Sequence, residues 1–225
     1  MSTMFLRSLL SVGVLTAIFA APAQAAPELT SPLKPCYLVA NQDQREPIPI
    51  TATGFTPFSK VGVYLDDILQ FETQVLVGGD ITGGIVAPFQ EEGTGPFTLR
   101  LSETNMPTNV ITRTTLVTRL AVEQSPRRAS TAQRVRFKGR GFMEPGLPVY
   151  AHYVFAGKVR ESVRLGVPKG PCGTFSIKRP QFPFEKSPRR GKWTIQFDQL
   201  PHYNPKAPVR VPMTIRVQTT PKQDG

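Results

Sequence analysis

The sequence predicts an all-β protein built from two tandem β-sandwich domains behind a cleavable signal peptide. Three observations support this prediction: apolar and polar side chains alternate in short segments, Gly and Pro turns separate the segments, and the chain contains one internal repeat. Alternation with a period of two is typical of a half-buried strand, because successive side chains point to opposite faces of a sheet. Long runs of apolar residues at helical spacing are missing, so we expect no helical domain.

The first 25 residues have the pattern of a secretory signal peptide. Arg7 supplies a positive charge, an apolar run follows as far as Ala20, and Ala23-Gln24-Ala25 offers small residues for cleavage. The run, about a dozen residues, is too short to span a bilayer. We therefore expect a mature chain that starts near Ala26 and is secreted or associated with the cell envelope. A retained membrane anchor is the alternative.

An internal repeat sets the domain organisation. Four segments of one copy match four of the other: residues 50–64 with 135–150, 81–84 with 171–175, 95–101 with 191–197, and 117–126 with 212–221. This alignment places Tyr64 opposite Tyr150 and Val117 opposite Pro212. We predict a first domain over residues 27–123 and a second over 124–225, with a minimal linker centred on Ser125-Pro126. Each copy contains about seven segments of strand length, which is the pattern of an immunoglobulin-like sandwich.

The motifs of the repeat resemble a known group of domains. The Gly-Phe turns at Gly54 and Gly141, the Gly-Thr-Phe at 173–175 and the Gly-Lys-Trp-Thr at 191–194 look like bacterial Ig-like repeats of the IPT/TIG type. The two-copy arrangement, with Gly-Pro-Cys-Gly-Thr-Phe at 170–175 and Gln-Phe-Pro-Phe at 181–184, also resembles a group of functionally uncharacterised secreted actinobacterial proteins. The resemblance covers nearly the whole mature chain. It implies an extracellular location and a binding or spacer role, and it assigns no catalytic residue and no ligand.

Charge differs between the two copies. Residues 27–124 contain six Lys/Arg against eleven Asp/Glu, a net charge of −5, whereas residues 125–225 contain twenty against five, a net charge of +15. The positive field of the protein therefore belongs to the second copy, and an anionic partner would be attracted there.

Seven cations of the second copy are predicted to line one sheet face. Alternation places them on the outer side of the segments 134–138, 158–165 and 175–178, with Val159, Val163 and Leu165 pointing inward. We assign the three segments to one sheet, whose outer face has no acidic residue of the same parity. The candidate anion-binding residues are Arg134, Arg136, Lys138, Lys158, Arg160, Arg164 and Lys178. Two alternatives stay open: the cations only keep the face soluble, or the basic copy docks on acidic residues of the first, such as Asp66, Asp67, Asp80, Glu91 or Glu92.

The two cysteines, Cys36 and Cys172, predict a disulfide, because free thiols are unusual in an exported chain. If the two sandwiches lie end to end, Cys36 at the far tip of the first lies beyond the ~7 Å Cα separation that a bridge allows. A bridge therefore requires the copies to fold back beside each other, or an N-terminal segment that reaches across. Two free thiols are the alternative.

Residues able to support catalysis or metal binding are few. His152 lies on an aromatic strand, where a packed or half-exposed structural role is expected, and His202 lies in a loop. Signatures of zinc sites, serine hydrolases and phosphate-binding loops are missing. Asp66 and Asp67 are adjacent, so on a strand they point to opposite faces, and a calcium site shared with Asp80 is an alternative to a solvated acidic rim. We expect no enzymatic activity, catalytic residue, cofactor or metal.

Aromatic and Arg-rich motifs complete the set of candidates. Trp193 alternates with Ile195 and Phe197, which places it in the core, whereas Phe182 and Phe184 either cap the end of the core or, if exposed, form an apolar contact site. Ser-Pro-Arg-Arg occurs at 125–128 and at 187–190. We interpret both as turns, because an exported protein does not normally meet nucleic acid.

The function predicted first is a non-enzymatic binding or structural protein whose second copy presents a basic face to an anionic polymer or surface. A cell-wall polyanion and an acidic membrane surface are the expected partners, and binding would fall with salt. The alternative is a protein–protein interaction or adhesion module that binds through loops or a sheet edge. An unrecognised hydrolase is the third hypothesis and requires a cleft that holds a histidine or a pair of carboxylates.

Overall fold

The computed structural model describes residues 26–218, which form fifteen β-strands and no helix. The first copy contains β1 (Glu28–Leu29), β2 (Cys36–Val39), β3 (Pro47–Thr53), β4 (Lys60–Leu65), β5 (Ile68–Gln74), β6 (Ile81–Val86), β7 (Thr94–Glu103) and β8 (Met106–Arg119). The second contains β9 (Ala121–Ser125), β10 (Arg134–Arg140), β11 (Val149–Phe155), β12 (Lys158–Gly166), β13 (Phe175–Pro180), β14 (Gly191–Asp198) and β15 (Arg210–Val217). The all-β prediction is confirmed. The predicted signal peptide, residues 1–25, lies outside the described residues.

The two copies have the same strand order. The first forms the sheets β1-β3-β6 and β2-β8-β7-β4-β5, and the second forms β9-β10-β13 and β15-β14-β11-β12. Each strand of the second copy thus occupies the place of one strand of the first, while β2 has no counterpart among residues 26–218. The chain passes from β8 to β9 at Leu120, before the predicted linker at Ser125-Pro126.

Each pair of sheets encloses its own hydrophobic core. In the first copy, Ile50 of β3 and Ile81 of β6 belong to one cluster with Phe97 of β7. In the second, Phe137 of β10 and Trp193 of β14 belong to a separate cluster. Trp193 is 3% exposed, so its predicted place in the core is confirmed.

Strand pairing corrects the alignment of the repeat. Arg100 and Gln196 hold matched positions in the aligned segments 95–101 and 191–197. Arg100 pairs with Tyr64 in its sheet, and Gln196 pairs with His152 in the other. Tyr64 therefore corresponds to His152 and not to Tyr150.

Strand pairing also shifts the alignment of the last strands of the two copies. Gly95 pairs with Val117, and Gly191 pairs with Val217. Val117 therefore corresponds to Val217 and not to Pro212. The shift arises because the connection between the paired strands is short in the first copy, residues 104–105, and long in the second, residues 199–209.

Strand β2 links the two copies. It pairs in parallel with the end of β8, with Cys36 beside Leu116 and Val39 beside Arg119. Cys36 therefore lies at the junction and not at the far tip of the first copy, where it was expected for two sandwiches laid end to end. There it forms the predicted disulfide with Cys172, with a Cα–Cα distance of 5.3 Å. Of the two arrangements that would allow a bridge, the structure contains the N-terminal segment that reaches across.

Candidate anion-binding surface

Four of the seven predicted cations lie together on the outer face of the β9-β10-β13 sheet. Buried and exposed residues alternate along β10, so every second side chain faces solvent. The four exposed cations, which we call the basic stripe, are Arg134, Arg136 and Lys138 on β10 and Lys178 on β13. The structure brings these four together as the sequence predicted, and their binding of an anion stays a prediction.

Contacts between β10 and β13 position the stripe. Arg136 and Lys178 lie opposite each other in the ladder. The Arg134 guanidinium donates a hydrogen bond to the Lys178 carbonyl oxygen at 3.0 Å, and the Arg136 guanidinium donates one to Ser176 Oγ at 3.5 Å. Alternate residues of a strand are about 7 Å apart. The stripe therefore presents a row of positive charges at regular intervals along β10.

The other three predicted cations lie on the opposite sheet. Lys158, Arg160 and Arg164 belong to β12, which pairs with β11. The prediction of one sheet for all seven is wrong, because β11 and β12 are joined by a two-residue hairpin turn. Both turn residues, Ala156 and Gly157, have positive φ, 49° and 74°, as tight hairpins require.

A bulge in β12 also changes which side chains point inward. The ladder shifts register between Tyr153 and Val154, so Glu161 faces Tyr153 and Val159 faces Val154. The extra residue, Arg160, breaks the alternation, so Val159 lies on a different face from Val163 and Leu165. Val159 is 40% exposed, so its predicted inward direction is wrong, whereas Leu165 is buried as predicted.

The face of the stripe contains an acidic residue that was not expected there. Glu123 on β9 pairs with Lys138 in the ladder and therefore shares its face. Its carboxylate accepts a hydrogen bond from the Arg140 guanidinium at 2.7 Å, and this hydrogen bond and charge lower the pKa of Glu123. Arg140 lies two residues after Lys138 on β10, so the alternation that places Lys138 on this face also predicts Arg140 there. The two residues neutralise each other, so the stripe keeps its positive charge.

His152 is the centre of a buried polar network on the outer face of the other sheet. Its Nδ1 lies 2.8 Å from Ser162 Oγ, and its Nε2 lies 3.2 Å from Asp198 Oδ1 and 3.1 Å from the Leu200 carbonyl oxygen. Gln196 Nε2 donates to Asp198 Oδ2 at 2.7 Å. Because both neighbours of Nε2 accept hydrogen bonds, we assign a proton to this ring nitrogen.

The network holds the connection 199–209 against the sheet. Gln196 also donates to the Asn204 carbonyl oxygen at 2.8 Å, Asp198 accepts from the Leu200 amide at 2.9 Å, and the Tyr203 ring lies edge-on to His152. His152 and Asp198 have no exposed surface. The prediction of a packed structural histidine is confirmed.

The hydrolase hypothesis gains no support from these residues. Ser162, His152 and Asp198 are linked in the order of an acyl-transfer triad. However, Ser162 lies within β12 and not on the sharp strand-to-helix turn that exposes a nucleophilic serine. His152 is inaccessible, and His202 is exposed on the neighbouring loop.

The aromatic residues of the 181–184 segment complete the core. Phe182 is 3% exposed and packs edge-on against Trp193 with ring centroids 5.3 Å apart. Phe184 is half-buried and lies 5.3 Å from the same indole ring. The prediction of a cap on the core is confirmed, and the alternative of an exposed contact site at these two residues is wrong.

The acidic residues considered for calcium do not form a cluster. Asp66 and Asp67 form the turn between β4 and β5 with positive φ, 46° and 65°, so the prediction that they point to opposite faces of a strand is wrong. Asp66 accepts from the Thr98 amide at 2.8 Å, and Asp67 pairs with Arg100 at 3.1 Å. Over residues 26–218, no group of three or more His, Cys, Asp or Glu could hold a metal ion.

Ion pairs do not join the two copies in the described part of the chain. The ion pairs found between residues 26 and 218 are Lys34 with Glu46, Arg100 with Asp67, and Arg140 with Glu123, and the contact of His152 with Asp198 lies within the second copy. Both partners of each pair belong to the same copy, so the alternative of ionic docking between the copies gains no support. The same residues include no helix long and apolar enough to cross a membrane.

Comparison with known proteins places the chain in no family. No family model matches it, and no curated protein matches it. Among solved structures, it is similar to SGBP-B of the Bacteroides ovatus mixed-linkage glucan utilization locus, in complex with mixed-linkage heptasaccharide. The sequences are 12% identical, the match covers 85% of this chain and 47% of that chain, and the TM-score is 0.25. The chain thus spans about half the length of that protein, and a likeness of this size assigns neither ligand nor activity.

Proposed function

We propose that this chain is an extracellular or envelope-associated binding protein whose basic stripe engages an anionic polymer. The observation that supports the proposal is the regular row of exposed cations on β10 and β13, fixed by hydrogen bonds between the strands. An extended polyanion lying along β10 would meet a cation about every 7 Å. A single small anion would contact only part of the row.

The stripe can attract the charged backbone of a polyanion, but it lacks the aromatic groups that stack on the bases of a nucleic acid. The inward neighbours of its cations are Val135 and Phe137, which are fully buried, so the stripe itself offers no aromatic ring on which a base could stack. A cell-wall polyanion or the headgroups of an acidic membrane fit such a surface. Binding would depend strongly on salt, because each neutralised anion releases counterions.

The decisive experiment compares two triple variants that change the net charge equally. Arg134→Gln, Arg136→Gln and Lys178→Gln remove three charges of the stripe, whereas Lys158→Gln, Arg160→Gln and Arg164→Gln remove three from the opposite sheet. Retention on dextran sulfate is measured at rising salt, with uncharged dextran as the reference matrix. We expect the stripe variant to elute at clearly lower salt than the β12 variant. Equal shifts would mean that net charge alone drives retention, and retention unchanged by both variants would refute the proposal.

A second candidate function is supported by apolar side chains at the far end of the first copy. Phe58 is 67% exposed, Leu76 56% and Val77 76%. The Phe58 amide donates to the Val75 carbonyl oxygen, so the loops that carry the three residues are adjacent. Phe58 also has a φ of 63°, which is unusual for a large residue. A protein partner bound through these loops would shield them, and hydrogen exchange of the loops with and without a candidate partner would test this.

A further inference from the structure

A cleft of about 580 Å³ lies where the chain crosses from β12 to β13. Its apolar lining comes from both sides of the crossing: Leu165 and Val167 at the end of β12, and Phe175 and Ile177 on β13. Val167 is 43% exposed, and Phe175 and Ile177 are half-buried, so the apolar surface is open to solvent. The volume falls within the range of small-molecule sites.

Gly139 determines the shape of the cleft. It pairs with Phe175 in the β10-β13 ladder, and a Cβ atom built on it would lie 2.1 Å from the Phe175 ring. Any larger residue would push the ring away. The glycine therefore allows the Phe175 ring to lie against β10, where it packs on Phe142 with ring centroids 5.6 Å apart.

The wall formed by the crossing segment is held in place by backbone hydrogen bonds and by the disulfide. The Lys169 and Thr174 backbones exchange two hydrogen bonds, of 2.7 and 2.8 Å. Between them lies Cys172, which is tied to Cys36 by the disulfide. The cleft is thus a preformed feature of the fold.

The charged residues of the cleft are mainly cationic. Lys138, Arg140 and Lys169 line it together with one acidic residue, Glu123, which is paired with Arg140. The Lys138 side chain points to the outer face of the sheet, away from Phe175 and Ile177, so Lys169 remains as the positive charge beside the apolar surface. A neutral apolar ligand would leave this charge without a partner, and a fully polar anion would leave the apolar surface uncovered.

We infer that this cleft binds a single-chain amphiphile with an anionic headgroup, the chain lying on Phe175 and Val167 and the headgroup beside Lys169. A carboxylate and a phosphate monoester share the required chemistry. The site is separate from the polymer site, because Arg134, Arg136 and Lys178 do not line the cleft and the Lys138 side chain lies on the other face of the sheet from Phe175.

The test uses isothermal titration calorimetry of the full mature chain with decanoate, decyl phosphate, 1-decanol and acetate. Val167→Asp places a negative charge in the cleft, and Val159→Asp is the matched control, since Val159 is 40% exposed and lies outside it. We expect saturable binding of one decanoate or decyl phosphate per chain, at least about tenfold weaker in Val167→Asp and nearly unchanged in Val159→Asp. The tighter of the two ligands identifies the headgroup.

Three further measurements make the outcome specific. Lys169→Gln should weaken decanoate binding several-fold, 1-decanol should bind more weakly than decanoate, and acetate should not bind. The triple stripe variant, which loses the polymer, should still bind decanoate, so the two proposals fail separately. Absence of saturable decanoate binding, equal loss in the two valine variants, or equal affinity for 1-decanol would overturn the inference.

Discussion

The two copies share a strand order but differ at one equivalent position on the outer face, on β4 in the first copy and on β11 in the second. In the first copy this position is Tyr64, whose ring lies under the Arg100 guanidinium at 3.9 Å and remains partly exposed. In the second it is His152, which is fully buried in hydrogen bonds to Asp198 and to the long connection 199–209. A repeated framework can therefore accept a short hairpin with a solvated face in one copy and a long connection with a sealed polar network in the other.

The copies also differ at their junction. Within residues 26–218, only the first has a strand in the place of β2, and this strand brings Cys36 and Leu38 to the second copy. Leu38 packs against the core of the second copy, and its Cδ1 would lie 2.8 Å from a Cβ atom on Gly141. The additional strand thus serves as a connection, and the copies should depend on it unequally.

Removal of the disulfide should have the largest effect on stability. The bridge joins residues separated by 136 positions, and cross-linking a loop of this length removes about 4 to 5 kcal/mol of chain entropy from the unfolded state. We expect the double variant Cys36→Ala with Cys172→Ala to lose a comparable free energy of unfolding, measured with guanidinium chloride. Wild-type protein unfolded under reducing conditions is the control and should behave alike. A loss below about 1 kcal/mol would show that the strand alone holds the copies together.

Glycines beside the two Gly-Phe turns allow a sharper comparison. Gly79 and Gly173 hold equivalent places, since their carbonyl oxygens accept from the Phe55 and Phe142 amides at 3.1 and 3.2 Å. A Cβ atom would lie 2.8 Å from the Phe55 oxygen in the first copy but 2.0 Å from the Phe142 oxygen in the second.

Substitution of these glycines by alanine should therefore cost more in the second copy. Gly173→Ala is expected to lose about 3 to 4 kcal/mol and Gly79→Ala about 2 kcal/mol, both measured by chemical denaturation. Gly146→Ala is the control for backbone strain alone, because Gly146 has a φ of 72° and nothing within 4 Å of its added Cβ atom. Equal losses at Gly79 and Gly173 would mean that the second turn relaxes freely.

Alternation predicted much of the core but not the partners of every strand. Trp193 and Phe137 were placed correctly because inward side chains recur with a period of two. The place of β12 was missed, although the Ala156-Gly157 pair after β11 indicates a hairpin and therefore the same sheet. The parallel pairing of β2 with β8 joins distant segments without a turn, so no local pattern could predict it.

The candidate site could be predicted in part for the same reason. The parity of β10 identifies Arg134, Arg136 and Lys138, and it would also have identified Arg140. The cleft could not be predicted, because it depends on the contact of Gly139 with the Phe175 ring and on how the crossing segment is anchored. These are properties of packing between elements, which a one-dimensional pattern does not contain.

Loss of the Asp198 carboxylate should destabilise the second copy more than loss of Arg100 destabilises the first. Asp198→Ala removes the fully buried carboxylate that His152, Gln196 and the Leu200 amide share as a hydrogen-bond acceptor, at an expected cost of about 3 kcal/mol. Arg100→Gln removes a contact with Tyr64 and a pair with the exposed Asp67, at a cost of about 1 kcal/mol or less. Both are measured as free energies of unfolding. If Arg100→Gln proved the more costly, the buried network would not be the stabilising feature that we infer.

The smallest effect is expected at Tyr153, which occupies the place of Leu65 in the first copy. Its hydroxyl is buried and makes no hydrogen bond within residues 26–218, and burial raises the pKa of Tyr153 to about 12. Because the folded-state pKa lies above the ordinary value near 10, the neutral phenol contributes stability that is complete below pH ~10 and is lost as the pH rises toward ~12.

Tyr153→Phe removes the unsatisfied group while keeping the ring contacts, so we expect stability at pH 7 to be unchanged or to rise by up to about 1 kcal/mol. The variant should also lose less stability than the wild type between pH 10 and 12, which denaturation at a series of pH values would measure. A loss of more than about 1 kcal/mol at pH 7 would instead indicate that the hydroxyl has a partner in solution.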